Sequence, residues 1–134
     1  MKDFVVYHNP DRMGCDVTQM SPLSAVTNKP TPADVEGSRV WLLTGQGKPR
    51  TFLLRSWFIV DRVEKDVDGF RTKVSGKIGT ALIPMINLND EAWFESFKRK
   101  QGRFAFGLQR ITVQPFIRGL EEVVRREAKS SIKK

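Results

Sequence analysis

Aromatic rings and cations interleave along this chain: Arg39 with Trp41, Arg50 with Phe52, Arg55 with Trp57, and Arg103 with Phe104 and Phe106. A ring face can stack on a nucleobase while a neighbouring cation meets phosphate, which is how single strands and extruded bases are held. Asn9, Thr44, Gln46 and Gln109 add the means to read a base edge, because an amide offers a donor and an acceptor together. Core packing is the commoner work of a ring. Trp93, Phe94 and Phe97, grouped on one side of an expected helix, are assigned to it.

Other chemistries find less to work with. A nucleophile activated by histidine needs that imidazole and a group to orient it, and His8 is the one histidine present. It serves more simply as the polar end of a strand than as a general acid or base. Cys15 is the one cysteine, so there is no internal disulfide framework and no metal site of the histidine and cysteine type. Asp61, Glu64, Asp66 and Asp68 could form an all-carboxylate site, but their spacing reads as a solvated hairpin tip. Gly45 and Gly47 stand between two strands rather than ahead of a helix, so they serve a turn and not a phosphate loop. No catalytic residue, metal ligand or cofactor is assigned, and an enzyme is the less favoured class.

The elements that must position these residues follow from pattern. Phe4 to Tyr7 reads as a buried first strand, and His8-Asn9-Pro10-Asp11 carries turn chemistry. Arg12 to Thr31 shows no clear period. Thr31-Pro32-Ala33-Asp34 looks like a helix entry closed by Gly37. Ser38 to Thr44 is a strand. Arg50 to Glu64 is a long one, expected to bulge or bend, and Asp68-Gly69 marks a hairpin turn into Phe70 to Ile78. Thr80 to Ile83 could pair further. Asn89 is placed as the cap of a helix through Trp93 to Lys100, Arg103 to Val113 as a strand, and 115–128 as a last helix before a basic tail, 129–134. The expectation is one α+β domain over 1–134: a partly open, mostly antiparallel β-barrel flanked by helices.

Composition bounds the partners. Twenty-three Lys and Arg against fifteen Asp and Glu leave a net charge of +8 in 134 residues, and only part of it lies in the tail. Such an excess attracts polyanions. No apolar run is long enough for a membrane-spanning helix, and the N-terminus enters a strand pattern without a signal peptide, so a cytoplasmic setting is expected.

Laid out this way, the chain resembles the PUA-like superfamily, and within it EVE-type domains. The likeness rests on Tyr7-His8-Asn9-Pro10, on Gly37-Ser38-Arg39-Val40-Trp41, and on Phe104-Ala105-Phe106-Gly107-Leu108-Gln109 after an aromatic helix. It covers roughly 1–114, and the long segment from Arg12 to Thr31 departs from the compact helical stretch expected there. It implies a partly open barrel with an aromatic-lined pocket that reads a flipped or modified base in DNA or RNA, sometimes beside a separate effector such as a nuclease. Carried over by position, the pocket would draw on Tyr7, His8 and Asn9, with Trp41, Thr44 and Trp57 as walls and Phe106 to Gln109 as another side.

The expected function is therefore a nucleic-acid-binding module. Tyr7 or Trp57 would stack a base, Asn9 and Gln109 would bond its edge, and Lys48, Arg50, Arg55, Arg103 and Arg110 would hold phosphates. The rivals are a small nuclease or hydrolase on the same barrel, using His8 or the Asp61–Asp68 carboxylates, and a basic module that meets an acidic protein.

Overall fold

The computed structural model describes residues 1–105 and 107–132, the side chains of 128–132 excepted. Eight strands form two sheets. The larger has the order β7-β4-β3-β1-β8, with β1 Asp3–His8, β3 Arg39–Gln46, β4 Thr51–Ile59, β7 Gly79–Asn87 and β8 Gln109–Ile111. The smaller has the order β2-β6-β5, with β2 Ser24–Thr27, β5 Arg62–Val67 and β6 Phe70–Ser75. All pairings are antiparallel except that of β1 with β3, where Asp3 faces Arg39 and His8 faces Thr44. The class is α+β.

Central strands buried on both faces must be apolar on both, which explains the unbroken run of β1. Phe4 and Val6 point into one core with Val40, Leu42, Phe58, Ala25 and Val74, between the two sheets. Val5 and Tyr7 point the other way, with Trp41, Leu43 and Leu54, under two helices. These are α2, Phe94–Lys100, and α3, Gln114–Ile132; the latter buries Phe116, Ile117, Leu120 and Val123 along one stripe. Trp57 and Phe58 serve opposite cores, as alternation requires.

The two sheets are linked by bent strands. β4 runs into β5 and β6 into β7, and the bend is held by Ile59 N–H donating to Ile78 O and Asp61 N–H to Ser75 O. The long strand expected from Arg50 therefore bulges at Arg55, where the register slips against both neighbours, and breaks before Arg62. Hydrogen bonding among the described residues does not close the sheets into one ring.

Five local expectations need correction. The unpatterned segment holds a short helix, α1 Pro10–Met13, a 3-10 turn at Val17–Gln19, and β2. Residues 31–37 form turns, not a helix. Asn89 does not cap α2, whose N-cap is Trp93; it clips the β3–β4 connection instead, accepting from Phe52 N–H (2.8 Å) and donating to Arg50 O (3.1 Å). The expected strand over Arg103–Val113 shortens to β8, because Gly102, Arg103 and Phe104 take φ of 58°, 57° and 63°. The helix expected to stop at 128 runs to Ile132, and the last two tail lysines lie outside the described residues. No helix among the described residues is long and apolar enough to cross a membrane.

Candidate nucleic-acid interface

A cleft of about 320 Å³ opens where β1 ends, β2 ends and β6 begins. Tyr7 and Asn9 come from the β1–α1 junction, Arg12 and Met13 from α1, and Val26, Thr27, Asn28 and Lys29 from β2 and its exit. Phe70 stands on the β6 wall, and Arg103, Phe104, Ala105 and Gly107 line the segment after α2. Gly107 has to be a glycine: a Cβ there would sit 2.8 Å from both Thr27 Oγ1 and Lys29 Cβ. That close approach brings the last wall against β2.

Tyr7 is half-buried. Its ring stacks on Phe104 (centroids 6.0 Å apart, planes at 27°) and tilts against Phe52 at 5.6 Å. Burial pushes the phenol above its ordinary pKa, with the Arg50 charge opposing. Its hydroxyl crosses Gly45, where a Cβ would stand 2.3 Å from it and 2.4 Å from Arg50 Cδ. Arg50 is in turn tied to Asp11 at 2.7 Å.

Arg103 and Phe104 occupy the left-handed region in succession, which costs roughly 1–2 kcal/mol for each residue with a Cβ. Burial of Phe104 offsets this. Its ring packs within 6.1 Å of Tyr7, Phe52, Phe94 and Phe97, and burying a phenylalanine contributes about 1.5–3 kcal/mol before the aromatic pairs are counted. The anchored ring leaves Arg103 exposed at the cleft.

The lining holds three cations, Arg12, Lys29 and Arg103, and no carboxylate. None of the three makes an ion pair among the described residues. The polar groups beside them are committed on their acceptor side. Asn9 Oδ1 accepts from Asp11 N–H (3.0 Å), Asn28 Oδ1 from Arg71 N–H (2.9 Å), and Thr27 Oγ1 from Lys29 N–H (3.0 Å). Each of these oxygens has one lone pair engaged, while the amide NH₂ groups of Asn9 and Asn28 donate to no partner among the described residues. Comparison with protein-family models, curated proteins and solved structures finds no match.

Of the residues expected at a base pocket, Tyr7 and Asn9 line the cleft, and His8, Trp41, Thr44, Trp57 and Gln109 stand elsewhere. His8 is buried on the opposite face of β1, its Nε2 2.9 Å from Cys15 O, beside a hollow of about 10 Å³. Trp41 is interred at 1 % exposure, where Nε1 donates to Asp3 Oδ1 (2.9 Å) and the Arg39 guanidinium lies 4.8 Å from the ring. Thr44 is buried and donates to His8 O (2.9 Å). Trp57 packs against Trp41 at 6.4 Å. Gln109 faces Val5 across the sheet, with a buried Oε1 that has no partner. Phe106 lies outside the described residues.

Of the five expected phosphate ligands, Arg103 alone lines the cleft. Lys48 and Arg50 line a shallow neighbouring hollow. Arg55 sits in the β4 bulge at 7 % exposure with its Nε unpartnered, and Arg110 is exposed on β8 opposite Phe4. Pattern missed Arg12, Thr27, Asn28, Lys29 and Phe70. Four of these belong to the stretch without a period, and Phe70 reaches them only because β2 pairs with β6.

Proposed function

We propose that this protein binds nucleic acid by admitting one base into the cleft between its sheets. The observation that carries the reading is the lining itself: rings from Tyr7 and Phe70, three cations in no ion pair among the described residues, amide NH₂ groups able to donate, and no carboxylate. Base faces stack on aromatic rings at about 1–3 kcal/mol each, and cations meet the phosphates that accompany them. The PUA-like, EVE-type assignment belongs to the same reading. Bent strands that run from one sheet into the other would make a partly open barrel, with the cleft at its mouth.

The nuclease alternative draws less support. His8 is buried away from the cleft, Asp61 accepts from Lys77 N–H at 2.9 Å, and Glu64 stands near Arg62 at 3.6 Å.

Fluorescence anisotropy with labelled DNA and RNA oligonucleotides tests the proposal. Binding at low salt should weaken by about tenfold in Tyr7→Ala, the loss of one stacking platform. Absence of binding to either polymer at low ionic strength would sink the idea.

A further inference from the structure

We infer that the cleft prefers a nucleotide bearing a terminal phosphate, a phosphomonoester joined to one planar base, over a nucleotide inside a chain. This rests on the nucleic-acid reading above and concerns where the charge lies. Arg12, Lys29 and Arg103 give the cleft three positive charges and no negative one. Two hollows adjoin it. On the Tyr7 side, Lys48 and Arg50 stand against Asp11 and Asp16, and the boundary is the contact of Tyr7 and Arg50 across Gly45. On the Phe70 side, Arg71 stands against Asp66, in a hollow that shares Asn28 and Phe70 with the cleft. Of the three linings, that of the cleft alone carries a net charge, and those of the two adjoining hollows are balanced.

An internal nucleotide brings one negative charge at each flanking phosphodiester and would lay its neighbours over those balanced linings. Electrostatic binding of a strand grows with the number of phosphates a protein neutralises, so those neighbours contribute little here. A terminal phosphate concentrates about 1.5–2 negative charges and three strong acceptor oxygens in a single group. That suits a lining whose three cations come from three separate segments and whose Asn9 and Asn28 amides keep NH₂ groups free to donate among the described residues. The volume agrees: about 320 Å³ lies at the small end of ligand sites, which run from about 300 to 1,000 Å³. The same chemistry is offered by a chain end and by a free nucleoside monophosphate.

The test uses the full chain and one short, internally labelled oligonucleotide in three forms: hydroxyl at both ends, phosphate at one end, phosphate at the other. One phosphorylated form is expected to bind at least about tenfold tighter than the hydroxyl form, the scale of one charge-assisted contact. The preference should vanish in Arg103→Gln and in Lys29→Gln, each checked for folding by circular dichroism, and persist in Lys48→Gln. Equal affinity for all three forms overturns the inference and leaves the nucleic-acid reading standing; no binding of any form overturns that reading as well. Loss of the preference in Lys48→Gln also overturns it, whether or not the cleft variants fold. Competition by a nucleoside monophosphate separates the sources. Displacement at concentrations matching the phosphorylated end supports a free nucleotide, and failure to displace supports a chain end.

Discussion

Arg103 combines an unfavourable backbone with an exposed charge, and the two are separable by substitution. Its φ of 57° costs roughly 1–2 kcal/mol that glycine would not bear. Glycine adds unfolded-chain entropy worth roughly 0.5–1 kcal/mol, so Arg103→Gly should stabilise the fold by about 0.5–1 kcal/mol. The same change removes one of three cleft cations and should weaken oligonucleotide binding by about tenfold. Urea unfolding and anisotropy on the one variant read both effects. A variant that gains stability and keeps full affinity would show that Arg103 is no ligand contact. The sequence marks Arg103 by its place beside Phe104, yet places both on a strand. Three successive left-handed residues leave no pattern in residue type beyond Gly102, and it is tertiary packing of Phe104 that holds them there.

Between elements, the best-defined polar junction lies at the start of β1. Asp3 is 6 % exposed, and one oxygen accepts from Arg39 Nε (2.6 Å) and Trp41 Nε1 (2.9 Å). Arg39 then reaches Glu121 of α3 at 2.9 Å, so the carboxylate joins β1, β3 and the last helix. Removing it strands a buried indole N–H and leaves the half-buried guanidinium with Glu121 alone. Asp3→Ala should cost about 3 kcal/mol in urea unfolding, as for a broken buried pair. Asp3→Asn keeps an acceptor for the indole and should cost about 1 kcal/mol. Equal losses for the two would show that packing, not the carboxylate, secures the junction. Strands such as β1, β3 and β4 are legible because apolar runs and β-branched residues announce them. Their partners are not: the parallel pairing of β1 with β3 and the placement of β2 against β6 join segments far apart in the chain. This is why Thr27, Asn28 and Lys29, on the segment without a period, escaped notice as a site.

At the scale of the whole molecule, net charge and site charge make different claims. The excess of eight cations sets the expectation of a polyanion partner, but it does not say how many cations act together. Placement bears on that. Lys2, Arg39, Arg50, Arg62, Lys73, Lys98, Arg125 and Arg126 stand in ion pairs, and the hollows flanking the cleft are balanced. Rings and cations alternating along Arg39–Trp57 predict base stacking beside phosphate-binding cations, whereas the fold sends Trp41 into the core and Arg50 to Asp11. Counterion release turns this difference into a number. A strand held by three cleft cations should lose affinity with salt at a log–log slope of about −2, from roughly 0.7 per neutralised phosphate charge. A track that used the eight excess charges together would give a slope of about −6 by the same relation. Anisotropy titrations across a range of salt concentrations distinguish the two. A slope near the steeper value would mean that phosphate contacts spread well beyond the cleft, and that the focused-charge account of this surface is wrong.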